Sequence, residues 1–409
     1  MYHGRSTEDS HEESLMDVFK PALHFTALAG QEFYPSGYLT KCQKNLFKVL
    51  KCIVLLFLAF NIWRLCMILD TGMNTTKFVV FFVFLLFYTV EILTQNMRFI
   101  FDIVYGRRLQ EKFAAYLPLT EQNYFRKLKR KVLFTVVFSA FIIIMSMLTI
   151  GILSITEFAS TNMNTLLHIP MWKNTAFEII NYLLFSWFIA SGIFSDHILL
   201  YFFVEIICCE LHALSQKLKL LDDKKQTTGD VDSKLIHIQK KYEEIMELLH
   251  QVNTYFSIYL VTLFMLLIII ACVLIYVLFQ KEVDITGKLL IALMAITRIV
   301  FSTSVLYSGI TLQAAVEEPV EYLYRLSLNK EHSQDTMTRI SLFFARVSNP
   351  SYLTAAKMFN IDSSTILMIS GTLLSYGVIV FQTSSVHTGD KNASMTVLTG
   401  NMTGNATFG

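Results

Sequence analysis

The sequence predicts an all-α polytopic membrane protein with seven transmembrane helices, a cytoplasmic N-terminus, an extracellular C-terminus and long cytoplasmic helical extensions. Three observations predict it. Of 409 residues, 54% are hydrophobic and only 16% charged, against about 25% charged in soluble domains. Seven apolar runs reach the roughly 20 residues that a helix needs to cross a bilayer. Lys and Arg fall in alternate connections between those runs, which sets their orientation.

The runs are expected at 45–68, 78–100, 132–156, 176–207, 254–280, 289–315 and 362–383. The third, fifth and seventh are nearly free of charge. Arg64 interrupts the first, Glu91 the second, Asp196 and Glu205 the fourth, and Arg298 the sixth. Residues 1–44 are polar and lack the pattern of a secretory signal, so the first span is expected to act as its own insertion signal. Residues 1–51, 98–131, 208–253 and 316–361 together hold 27 of the 34 Lys and Arg. The opposite side and the span interiors hold the remainder. Four N-glycosylation sequons fall on the sparse side: Asn74-Thr75-Thr76, Asn392-Ala393-Ser394, Asn401-Met402-Thr403 and Asn405-Ala406-Thr407. Sequons are used only outside the cytoplasm. Charge and sequons therefore agree on an inner N-terminus and an outer tail over 384–409.

This orientation argues against a G-protein-coupled receptor, whose N-terminus is outside. A transporter is disfavoured because no repeat of hydropathy is present and seven spans do not halve. No His-rich, paired-carboxylate or Gly-rich catalytic signature appears, and His197 beside Asp196 reads as a packing feature, so no enzymatic activity is expected. The six cysteines, Cys42, Cys52, Cys66, Cys208, Cys209 and Cys272, show no metal spacing. No metal, cofactor or nucleic-acid partner is expected; the partners are membrane lipid and a small molecule.

The inner loops are patterned. Leu211, Leu214, Leu218 and Leu221 recur at helical spacing, as do Leu235, Ile238, Tyr242, Ile245, Leu248 and Leu249. Val320, Leu323, Leu326, Ile340, Phe343 and Phe344 repeat the theme. The fourth, fifth and sixth spans are thus expected to continue past the bilayer as amphipathic helices. They either lie on the membrane surface or pack as a cytoplasmic bundle.

The seventh span places Thr365, Met368, Thr372, Ser375, Ile379 and Gln382 on one stripe, in steps of three and four. Such a stripe needs water or a packed neighbour in a membrane. The alternative is plain helix packing, since Ser and Thr bond their own helix backbone. Gln382 is the hardest to explain by packing, because its amide needs several partners.

Ser375-Tyr376-Gly377-Val378-Ile379-Val380-Phe381-Gln382-Thr383 resembles the end of the last helix in the insect gustatory receptor family. There a Thr-Tyr pair is followed by five apolar residues and then Gln-Phe. Phe344-Ala345-Arg346-Val347, Asn349-Pro350, Thr354-Ala355-Ala356 and Phe359-Asn360-Ile361-Asp362-Ser363-Ser364 are similar to the family's lead-in. Ser375 and Thr383 depart from the motif; Tyr376 and Gln382 match it. The resemblance implies a ligand-gated, non-selective cation channel at the plasma membrane, a homotetramer or a heterotetramer with related subunits. It divides the chain into a ligand-binding bundle (45–315, with extensions over 208–253), anchor helices (316–361) and a pore helix (362–383). Gln382 and Thr383 would take the outer constriction, with Phe381 or Ile379 as a dewetting barrier and Ser375 and Thr372 below them.

Polar groups inside a membrane are costly and therefore candidates for function. Trp63, Arg64, Tyr88, Glu91, Glu178, Asn181, Tyr182, Ser186, Trp187, Arg298, Ser302 and Ser304 gather in the outer half of the spans. Glu91 or Glu178 can pair with Arg64 or Arg298. Trp187 with Asn181 and Ser186 suits a sugar; the 34 Phe suit a bitter compound. The reading is a chemosensory channel subunit, with an odorant-receptor-like channel as the first alternative and a transporter or membrane enzyme as the second.

Overall fold

The computed structural model describes residues 15–28, 41–68, 82, 86–97, 105–116, 122–155, 175–223, 228–279, 285–328, 333–379 and 382. Nearly all of them are helical. In chain order the helices are α1 (Leu15–Leu28), α2 (Lys41–Ile68), α3 (86–97), α4 (Arg107–Ala115) and α5 (Gln122–Ile155). Then follow α6 (Thr175–Asp223), α7 (Thr228–Phe279), α8 (Ile285–Leu328), α9 (Gln334–Val347) and α10 (Ser363–Ile379). Two short strands, β1 (Thr354–Ala355) and β2 (Phe359–Asn360), form an antiparallel hairpin before α10.

Among the described residues, Ile179–Leu221, Val231–Leu278 and Ile291–Leu328 are long and apolar enough to cross a membrane, and Ser363–Ile379 is a shorter apolar helix. α2 and α5, of 28 and 34 residues, are continuous helices through the expected first and third spans. Of the expected second span, Phe82 and 86–97 are described and helical.

α6, α7 and α8 contain 49, 52 and 44 residues. At 1.5 Å per residue they are about 74, 78 and 66 Å long, more than twice the ~30 Å hydrocarbon core. The surplus turns make a bundle. Leu211, Leu214, Leu218 and Leu221 of α6 join one buried core with Leu235, Ile238, Tyr242, Ile245, Leu248 and Leu249 of α7. Leu323 and Leu326 of α8, and Ile340, Phe343 and Val347 of α9, complete it. The rings of Tyr242 and Phe343 meet edge to face at 5.6 Å. The leucine rows thus pack against one another within the chain. The segment edges read at 208, 253 and 315 fall inside continuous helices.

Polar contacts trim this bundle. Tyr116, just after α4, donates to Glu210 of α6 at 2.8 Å, and the Lys241 ammonium lies 4.8 Å from its ring. Burial and the Glu210 carboxylate hold the Tyr116 phenol far above its usual range. Arg339 of α9 meets Asp232 of α7 at 3.3 Å. α1 falls in the segment read as simply polar. Its Val18, Ala22, Leu23 and Phe25 are buried, and it packs on α5 and α6.

The hairpin sits where the bundle hands over to α10. Thr354 pairs with Asn360 and Ala355 with Phe359. Its turn holds Ala356 and Lys357 at φ of 48° and 61°, a left-handed conformation that costs an L-residue roughly 1–2 kcal/mol. Asn253 of α7 fixes the hairpin from outside. Its Nδ2 donates to the Tyr352 carbonyl at 2.7 Å and its Oδ1 accepts from Thr354 N at 3.0 Å. Asp362 then caps α10, with Oδ1 accepting from Ser364 N at 2.9 Å and Thr365 N at 3.2 Å, as a helix start demands.

Asn253→Ala leaves two partly buried backbone groups unpaired, at a cost of about 2 kcal/mol. The detergent-solubilised variant should melt several degrees lower in fluorescence-detected size exclusion. An unchanged melting temperature would show that the hairpin does not depend on this clamp.

Candidate functional site

At the end of the bundle opposite α9, five helices meet through polar side chains. Glu91 of α3 and Arg298 of α8 form an ion pair, both nearly inaccessible. The Phe87 ring lies 5.0 Å from the Arg298 guanidinium carbon. Neither charge is tolerable alone in such a place, but each offsets the other's desolvation. Of the four acid–base pairings open to the sequence, this one forms. Arg64 of α2 is wholly buried.

Asn61 of α2 and Asn181 of α6 exchange amide hydrogen bonds, Asn181 donating at 2.9 Å and Asn61 at 3.5 Å. Asn61 also donates to the Phe57 carbonyl at 3.0 Å. Thr94 of α3 and Thr262 of α7 share a hydrogen bond of 3.0 Å. Gln95 of α3 donates to the Ile189 carbonyl at 3.3 Å. A Cβ at Gly192 would meet this amide, the flexible end of the Gln95 side chain. His197 of α6 lies between Ser304 of α8, at 3.2 Å, and Tyr259 of α7, at 3.4 Å. This agrees with a histidine built into packing.

Beside the polar layer lies an aromatic one. Tyr88 packs on Phe185 at 4.9 Å and on Phe87 at 5.4 Å, and Phe57 meets Phe188 at 6.0 Å. Trp187 is half-buried against the core. Trp63 instead faces outward beside Phe60, at 5.8 Å. Two hydroxyls stand apart from this network. Ser186 Oγ of α6 and Ser302 Oγ of α8 are buried with no protein partner. The side chains of Glu178 and Tyr182 lie outside the described residues.

α10 touches the rest of the chain along one narrow face. Thr365 and Ile369 are buried and Leu373 packs on the core, while a Cβ at Gly377 would stand 4.0 Å from Ile275. Leu367 and Leu374 are 76% and 72% exposed. Of the polar stripe, Met368, Ser375, Ile379 and Gln382 are exposed and Thr372 is half-exposed. Thr365 drops out of the stripe: its hydroxyl donates to the Asn360 carbonyl at 2.7 Å, inside the cap. Thr372 and Ser375 donate to the carbonyls one turn back, Met368 and Gly371, both at 2.9 Å. Their hydroxyls are therefore satisfied within α10, as helical Ser and Thr commonly are. Tyr376 of the motif is half-exposed. Phe381, Thr383, Asn74, Asn392, Asn401 and Asn405 lie outside the described residues.

Asn61, Gln95 and Asn253 were not singled out from the sequence. Asn61 lies one turn before Arg64 in an apolar run, and that was the available signal.

Residues 52–387 match the family described as 7tm chemosensory receptor. The chain belongs to that family, and with its apolar helices it is a membrane protein. Its fold is similar to that of the insect olfactory receptor OR5 from Machilis hrabei, with a TM-score of 0.69 at 16% identity, over 90% of this chain and 98% of that one. The structure of OR5 in complex with eugenol is similar as well, with a TM-score of 0.64 at 15% identity and the same coverage. No curated protein matches the chain.

Arg298→Met leaves Glu91 buried without its partner and should cost about 3–5 kcal/mol, read as lost thermal stability and surface expression. Arg298→Met with Glu91→Leu should recover most of that loss. A double variant as unstable as the single would mean that the ion pair is not what destabilises the single.

Proposed function

We propose that this protein is a gustatory receptor subunit, a ligand-gated, non-selective cation channel opened by a small tastant such as a sugar or a bitter compound. It works at the plasma membrane as a homotetramer or as a heterotetramer with related subunits, and it is not an enzyme. Family membership over residues 52–387 carries the reading. The gustatory branch is favoured by Tyr376 and Gln382 at the motif's spacing; the likeness to OR5 is one of fold.

The bundle over 45–315 supplies the ligand site in this reading, residues 316–361 the cytoplasmic anchor, and residues 362–383 the pore. The polar and aromatic layers support a small-molecule pocket among α2, α3, α6 and α8. Within it, Ser186 and Ser302 offer hydroxyls to a ligand, since buried polar atoms demand a partner. That OR5 was solved with eugenol supports a ligand of similar size. Around the pore, Gln382 and Thr383 line the outer constriction in this reading, with Phe381 or Ile379 as the hydrophobic barrier. The concentration of Lys and Arg in alternate connections, with the four sequons in the others, supports a cytoplasmic N-terminus and an extracellular, glycosylated tail.

Cells expressing the chain should pass a cation current when challenged with a panel of sugars and bitter compounds. Confirmed surface expression without basal or evoked current would overturn the channel reading. Gln382→Ala should change conductance, selectivity or gating; if all three match wild type, Gln382 does not line the pore. Glycosidase should remove mass from the tail of the surface-expressed protein. An antibody to the tail that binds only permeabilised cells would reverse the topology.

A further inference from the structure

Gly309 lies on α8 where the chain leading into α10 crosses it. A Cβ at this position would fall on the Ile361 carbonyl oxygen and 2.9 Å from Ile361 Cγ2. Backbone therefore rests on backbone there. Glycine inside a helix costs about 1 kcal/mol relative to alanine, and the close approach accounts for it. Ile361 is buried, and its N donates to the Leu353 carbonyl at 2.8 Å. With Asp362 capping the next turn, the hairpin and the start of α10 hold together as one unit.

Arg298 stands 11 residues earlier on α8, about three turns and ~16 Å away on nearly the same face. Ser302 and Val305 lie between them, and all four positions are buried. One rigid stripe thus runs from the Glu91–Arg298 ion pair to the foot of α10. We infer that Gly309 is a positioning residue that couples the polar layer to α10, so that a shift of α8 at the level of Arg298 and Ser302 displaces Ile361 and with it the last helix. A contact between two backbones has no rotamer to absorb such a shift, and close-packed contacts pass displacement on. As an account of gating, this rests on the channel reading above; as a mechanical link, it does not.

Hydrogen–deuterium exchange of the full chain in lipid nanodiscs tests the link without a known ligand or a conducting pore. Gly309→Ala should speed exchange of the 353–366 amides at least fivefold while the 242–252 amides keep their wild-type rates. Glu91→Gln, at the far end of the stripe, should alter 353–366 exchange at least threefold when Gly309 is present. It should have no further effect in the Gly309→Ala chain. Unchanged 353–366 exchange in either single variant, or full additivity in the double variant, overturns the inference. If Gly309→Ala does not fold, Glu91→Gln in the otherwise wild-type chain decides, and unchanged 353–366 exchange in it overturns the inference. Failure of the channel reading would appear separately, as absence of current from the wild-type chain, and leaves the exchange result standing.

Discussion

Lipid offers no hydrogen-bond partner to a peptide group, and most of this structure follows from that. A chain of this composition can cross a bilayer only as unbroken helix. α6, α7 and α8 obey the rule and then continue past the membrane edge, α8 even through Pro319. Their leucine rows carry on at helical spacing through the basic segments, so the same three helices build the apolar core and the bundle beyond it. The two regions are one set of rods, and they cannot move independently without bending a helix. α9 and the hairpin attach to the rods at Phe343, Asn253 and Gly309, which fixes where α10 can begin.

The polar residues inside the helices add a second constraint. Glu91, Arg298, Asn61, Asn181, Thr94 and Gln95 each find a partner on another helix. A helix sliding by one turn would break these pairs and strand polar groups in an apolar setting, at roughly 1–3 kcal/mol for each neutral group and more for the charges. The layer therefore sets the register of α2, α3, α6, α7 and α8. That is a structural role. The chemistry left over for a ligand lies in groups the network does not use, and Ser186 and Ser302 are two of these.

Legibility in the sequence followed the range of the interaction. The rows at Leu211–Leu221 and Leu235–Leu249 are local patterns, and they showed α6 and α7 to be longer than a bilayer is thick. The stripe on α10 is likewise local. The Glu91–Arg298 pair was one of four combinations, and choosing it required knowing which faces of α3 and α8 meet. Asn253 and Gly309 carried no sign of importance, because their partners at 352–354 and 361 lie far along the chain. The hairpin was hidden for another reason. Its strands are two residues long, and its left-handed turn uses Ala356 and Lys357 where Gly or Asn would have announced it. α1 was hidden by Pro21 and by the polar residues around it.

α10 shows how far geometry goes toward the proposed pore. At 100° per residue, Thr365, Ile369, Leu373 and Gly377 mark the face toward the rest of the chain. Met368, Thr372, Ser375, Ile379 and Gln382 centre about 120° from it, and Leu367, Leu374 and Val378 a similar angle further round. A helix on the rim of one subunit, in contact with lipid alone, needs two faces, one packed and one apolar. α10 has three, and the third is the polar stripe. The hydroxyls of Thr372 and Ser375 are satisfied by their own backbone, so below Ile379 the stripe demands nothing of its surroundings. The weight then falls on Gln382, the last residue that matches the motif, followed by Thr383 where the resemblance leads one to expect an aromatic. A hydroxyl in place of a ring weakens a hydrophobic seal at that level. In the proposed pore, the dry barrier would then fall to Phe381 or Ile379.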